Sequence, residues 1–82
     1  MCINIPVCVK ANWDKEVQVW VATSEDVPGL VTEAETLEQL IKKLQIMIPE
    51  LLQANGLLGE DEQYEIPFRL LSERIGMIKC EA

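Results

Sequence analysis

Apolar and polar residues alternate from Ile3 to Ala11, with Ile3, Ile5, Val7, Val9 and Ala11 on one side and Asn4, Pro6, Cys8 and Lys10 on the other. A period of two over this length predicts a strand with one face buried. Pro6 has no amide to donate, which places it near a strand start or where its N–H would point away from a neighbour. Asn12-Trp13-Asp14-Lys15-Glu16 is polar and turn-like. A second alternation follows, with Val17, Val19, Val21 and Thr23 opposed to Gln18, Trp20, Ala22 and Ser24. Two strands joined by about five residues are most simply an antiparallel hairpin. Ser24 to Gly29 is punctuation, and its Pro28-Gly29 pair favours a type II turn. Leu30 to Ala34 then predicts a short third strand, completing a three-stranded meander.

The period changes at Thr36. Its hydroxyl can accept from the amide of Gln39, whose side chain can reach back, a Thr-x-x-Gln capping box. Glu35 and Glu38 place negative charge near the positive end of the helix dipole. Leu37, Leu40, Ile41, Leu44, Ile48, Leu51 and Leu52 form a stripe at helical spacing that must lie on the sheet. Pro49 forfeits the hydrogen bond to the carbonyl of Gln45, which predicts a kink or a break into two shorter helices. Asn55-Gly56 is a C-terminal stop. Beyond the acidic connection Leu57 to Gln63, the residues Tyr64, Ile66, Phe68 and Leu70 alternate with Glu65, Pro67, Arg69 and Leu71. They mark a fourth strand, with Pro67 arguing for an edge position or a bulge. Arg74 to Cys80 is a candidate short C-terminal strand with Gly76 in its middle.

The predicted class is α+β, ordered β-β-β-α-β: an antiparallel meander, one crossover helix and a fourth strand. One helix covers only one face of such a sheet. The other face is expected to carry Cys8, Lys10, Gln18, Trp20 and Ala22, and to be where a partner docks.

Composition narrows the function. Eighty-two residues make one domain, 1–82, with no repeat or linker. Seven Lys and Arg against 14 Asp and Glu give a net charge of −7, which argues against direct binding to nucleic acid or an anionic membrane. No apolar run approaches the roughly 20 residues of a membrane span, and the N-terminus lacks the pattern of a secretory signal. The absence of His removes the commonest general base and metal ligand. Cys2, Cys8 and Cys80 are an odd number without CxxC spacing, so they read as reduced thiols of a cytoplasmic protein.

The acids are the remaining source of chemistry. Glu33 with Glu35, and Glu25 with Asp26, are the candidate carboxylate pairs, but no nucleophile–base pair accompanies them, and acids in turns and helix starts usually act as solvated caps. No Gly-x-Ser-x-Gly, phosphate loop or calcium loop is present. No catalytic, cofactor or metal site is expected. The residues expected to bind a partner are Trp20, an aromatic suited to an interface, and the acids Glu25, Asp26, Glu33 and Glu35.

Residues 13 to 53 also carry a resemblance. Trp13-Asp14, then Val19-Trp20-Val21-Ala22-Thr23-Ser24, then Asp26-Val27-Pro28-Gly29-Leu30-Val31-Thr32-Glu33-Ala34 and Thr36-Leu37-Glu38-Gln39-Leu40 resemble the HicB-like antitoxin superfamily. They are most similar to its short members, grouped as domain-of-unknown-function family 1902. The resemblance implies a truncated ribonuclease H-like fold without catalytic carboxylates, whose last strand lies parallel to its first. It also implies a partner, a small basic HicA-like ribonuclease toxin that the protein would mask. Larger relatives add a DNA-binding domain, and none is expected within these 82 residues. The alternative is a stand-alone homo-oligomeric structural or small-ligand module, in which Trp20 and the segment Arg74 to Cys80 would serve self-association. A homo-oligomer, first of all a dimer, fits either reading.

Overall fold

The computed structural model describes residues 6–57 and 65–80. Strand β1 (Val7–Asp14) begins directly after Pro6, where a missing amide costs the ladder nothing. It is followed by β2 (Val19–Thr23), β3 (Val31–Ala34), helix α1 (Leu37–Ala54) and β4 (Phe68–Glu73). The predicted β-β-β-α-β order is therefore the observed one. The four strands form one sheet in the order β3-β2-β1-β4. β1 pairs antiparallel with β2, β2 antiparallel with β3, and β4 returns parallel to β1. Pro67 immediately precedes β4, an edge strand, and its carbonyl accepts from the Val7 amide at 2.9 Å. The expected strand residues Ile3, Ile5 and Tyr64, together with Cys2 and most of the acidic connection, lie outside the described residues.

Local chemistry explains the turn and the helix ends. The Leu30 amide donates to the Val27 carbonyl at 3.1 Å, and Gly29 has φ +84°, the left-handed value that the third residue of a type II turn requires. Thr36 caps α1, its hydroxyl accepting from the Gln39 amide at 3.1 Å. At the other end, Gly56 at φ +72° donates to the Gln53 carbonyl and Leu57 to the Leu52 carbonyl, the paired bonds of a Schellman motif. The Asn55 side chain also donates to the Leu51 and Pro28 carbonyls, tying the helix end to the Pro28-Gly29 turn. Pro49 does not split the helix, which runs unbroken from Leu37 to Ala54. The carbonyl it leaves free belongs to exposed Gln45, where water can reach it.

The hairpin register decides which side of β2 is buried, and it reverses the expectation. Trp13 faces Trp20, Ala11 faces Ala22, and Lys10 faces Thr23. Directly opposed residues project to the same side of a sheet. Trp20 and Ala22 therefore join Val7, Val9 and Ala11 beneath the helix, while Val19 and Val21 face away. Gln18, expected on the uncovered face, is not in a strand at all. β1 continues through the polar Asn12 to Asp14, and the turn falls at Lys15–Gln18, closed by the Gln18 amide on the Asp14 carbonyl at 2.8 Å. Gln18 itself has φ +56°. Val17, counted as a strand position, sits exposed in this turn.

Size explains the choice of face. Ala11, Ala22 and Ala34 are all buried, and the fully buried Leu40 and Leu44 of α1 fill the space over this floor of small side chains. Valines in the same places would hold the helix farther from the sheet. The candidate C-terminal strand is also corrected: Arg74–Cys80 is not a strand and has no strand partner among the described residues, and every one of its residues is exposed. β1 ends at Asp14, so the sheet offers nothing beside which the segment could continue.

Overfilling the alanine floor tests this register. Ala22→Leu is expected to destabilise the fold by about 1–3 kcal/mol in urea unfolding. Val21→Thr, on the opposite side, should stay within about 0.5 kcal/mol. The reverse order of sensitivity would mean that Val21 faces the helix.

Candidate interaction surface

With α1 on one side, the described residues leave the other side of the sheet open, and the pairing registers place its residues in rows. Arg69 lies beside Cys8; Leu71, Lys10, Thr23 and Val31 make the next row; Glu73, Asn12, Val21 and Glu33 make the third. Val19 pairs with Asp14 beyond them. Val31 and Leu71 are exposed, 66% and 48%, and Val19 and Val21 are half-buried by their neighbours. The face is thus a set of branched apolar side chains separated by Lys10, Arg69, Glu33 and Glu73. With Asp14 beside Val19 it carries three acids against two bases, so most of the acidic excess of the chain lies elsewhere.

One end of this face is held by side chains that stand in for a missing strand. The β1–β2 ladder stops at Lys10 and Thr23, which leaves the backbone of Cys8 without a partner on that side. The Cys8 amide donates to the Asp26 carboxylate at 2.8 Å, and the Cys8 carbonyl accepts from the Ser24 hydroxyl at 2.6 Å. The Asp26 amide donates in turn to the same hydroxyl at 3.1 Å. Ser24 and Asp26 thereby continue the ladder by side chain, satisfying groups that would otherwise weaken the sheet. Cys8, Lys10, Thr23, Ser24, Glu25 and Asp26 surround a shallow cleft here.

The opposite end of the sheet is fastened by aromatics on the helix side. Trp20 lies between Ala34 and Trp13 across the strands. The two indoles meet edge to face, with centroids 5.4 Å apart and planes at 62°. The Arg74 guanidinium sits 4.4 Å from the Trp13 centroid, a cation–π contact at the point where the chain leaves β4. The sequence pattern marks Arg74 only as the start of the C-terminal segment and gives no sign of its contact with Trp13. Its pairing with Trp13 depends on the parallel β1–β4 register, which nothing local to either residue encodes.

The five residues expected to bind a partner do not form one patch. Glu25 and Asp26 share the cleft, with Asp26 committed to the Cys8 amide. Glu33 is on the open face beside Val21. Glu35 is exposed in the link between β3 and α1. Trp20 is half-buried against the core on the helix side. Val19, Val21, Val31 and Leu71, which the sequence pattern does not single out, supply the apolar part of the open face. Cys8 and Cys80 are free thiols, whereas Cys2 lies outside the described residues. No group of three or more metal-ligating side chains occurs among the described residues, nor is any helix there long and apolar enough to cross a membrane.

A four-stranded mixed sheet with one helix on one face, and no described element on the other, defines a small α+β domain. The chain belongs to the family described as Domain of unknown function (DUF1902), whose model matches residues 6–79. It is similar to the hypothetical protein TTHA1013 from the extremely thermophilic bacterium Thermus thermophilus, known from a crystal structure. The two share 46% sequence identity over 93% of this chain and 100% of that one, with a TM-score of 0.67. None of the curated proteins compared matches this chain.

The two acids of the cleft should separate in mutation. Asp26→Ala removes the acceptor of the Cys8 amide and is expected to cost about 1–2 kcal/mol in denaturant unfolding. Glu25→Ala should change stability by no more than about 0.5 kcal/mol. Equal effects would remove the structural role given to Asp26.

Proposed function

We propose that this chain is a non-catalytic protein-interaction module of the HicB-like antitoxin kind, acting in the cytoplasm. Its partner on this reading is a small basic ribonuclease of the HicA-like class, which it masks by covering the RNA-binding surface. The observation that carries the reading is the open sheet face, where Val19, Val21, Val31 and Leu71 stand between charged side chains and no described element of the chain covers them. An apolar centre with a charged surround is how a protein–protein interface is composed. The charge of −7 supports a basic partner, because it speeds encounter over long range while the nearly neutral face makes the contact. Glu25, Glu33 and Glu35 provide part of that attraction. Asp26 acts through the shape of the cleft, and Trp20 through support of the sheet from behind.

A second reading is a stand-alone homo-oligomer. The observation in its favour is the exposed segment after β4, where Ile75, Met77 and Ile78 are 72%, 90% and 88% exposed.

RNA cleavage by a small basic ribonuclease of the toxin class tests the first reading. Titration with this chain should abolish cleavage near equimolar ratio, and Val21→Lys should weaken inhibition by about tenfold or more. The triple variant Glu25→Gln, Glu33→Gln, Glu35→Gln should weaken it and flatten its salt dependence. Cleavage unaffected by excess chain, or inhibition by Val21→Lys equal to that of the natural sequence, would overturn the reading.

A further inference from the structure

β4 is the outermost strand of the sheet, so the backbone donors and acceptors on its outer side have no strand partner among the described residues. Such an edge is a template for another strand unless it is blocked. Natural edges are blunted by shortness, bulges, proline or inward charge. Here Pro67 protects only the entry to β4, and the chain beyond Glu73 continues as seven exposed residues, Arg74–Cys80.

This segment is unlike the rest of the surface. It holds Ile75, Met77 and Ile78, three of the most exposed large hydrophobic side chains among the described residues. It also reverses the local charge. Arg69, Arg74 and Lys79 are three of the seven basic residues, and Glu73 is the one acid between positions 68 and 80. Among the described residues, a lone copy thus carries a strand edge without a strand partner and an apolar segment of strand length beside it.

We propose that β4 and Arg74–Cys80 form one long strand that pairs antiparallel with the same strand of a second copy, joining two sheets across a two-fold axis at Gly76. Antiparallel pairing about such an axis opposes residues of the same face, so positions that add to a constant even number meet. Strand alternation carried on from β4 puts Glu73, Ile75, Met77 and Lys79 on the open-face side and Arg74, Gly76, Ile78 and Cys80 on the other. With Gly76 at the axis, Glu73 of each copy meets Lys79 of its partner, and Ile75 meets Met77. No like charges are opposed in this register. Shifting the axis to Arg74 would set Arg74 against itself and Arg69 against Lys79. Shifting it to Glu73 would oppose two carboxylates. Charge therefore disfavours the registers centred on Glu73 and Arg74, and the register centred on Gly76 is the one that sets Glu73 against Lys79. The Arg74–Trp13 contact fixes the direction in which the strand leaves each sheet.

This assembly uses the β4 edge, leaves the open face uncovered and stands independently of the antitoxin-like reading. Sedimentation of the full chain at high micromolar concentration should give a dimer. Glu73→Lys should raise the dimer dissociation constant roughly tenfold, and Glu73→Lys with Lys79→Glu should restore it. A Cβ added at Gly76 meets nothing within 4 Å in a single copy, so Gly76→Cys leaves the fold intact. With Cys2, Cys8 and Cys80 changed to Ser, that variant should form a disulfide-linked dimer under mild oxidation, because opposed residues in an antiparallel pair lie within disulfide reach. Ile75→Cys in the same background, two residues out of register with itself, should link far more slowly. A monomer at all concentrations would overturn the proposal. So would a dimer indifferent to Glu73→Lys, or equal cross-linking at positions 75 and 76.

Discussion

The floor of alanines beneath the helix is the constraint on which the rest of this structure depends. Ala11, Ala22 and Ala34 lie on three neighbouring strands and are all buried, and Leu40 and Leu44 descend over them. A single amphipathic helix of 18 residues must cover most of a four-stranded sheet, and it can do so only by lying close to it. Small side chains in the sheet and large ones in the helix achieve that proximity. The larger residues of the covered face, Trp20, Phe68 and Leu70, pack at its margin. Once the alanine of β2 is committed to the core, period two leaves no choice: Val19 and Val21 must face outward. The open apolar face is a consequence of how the helix is seated.

The same division sets the roles of the polar residues. Ser24 and Asp26 use their side chains to complete a ladder that β2 abandons as it turns away, which keeps the loop before Pro28-Gly29 close to β1. Asn55 ties that turn to the end of the helix. The β2–β3 loop is thus held at both sides, and the short β3 that follows it, only Val31–Ala34, is positioned without a long ladder of its own. At the far end, the edge-to-face pair of Trp13 and Trp20 and the cation–π contact from Arg74 close the sheet.

Much of this fold was legible in the sequence because its strongest signals are local. The helix, its Thr36 cap, its Asn55-Gly56 stop, the Pro28-Gly29 turn and the order of the elements all follow from spacing and residue type. The interaction surface was less legible. Counting hydrophobicity alone, Val17, Val19 and Val21 look like the buried side of β2, and Trp20 and Ala22 like the exposed one. The true choice rests on volume, on a turn at Lys15–Gln18 and on pairing with Ala11 and Trp13, and none of these is local to β2. Of the kink or break expected at Pro49, the break does not occur, for a related reason. The helix is held by its stripe against the sheet, and the carbonyl that proline frees belongs to a solvent-facing residue.

The central claim is that recognition belongs to the open face of the sheet and not to the helix. Backbone amide shifts of the isotope-labelled chain, followed as a small basic ribonuclease of the toxin class is added, test it most directly. The account predicts that the affected amides cluster at Lys10, Val21, Glu33 and Leu71. Changes centred instead on the outer side of α1, at Lys42, Ile46 and Gln53, would contradict it.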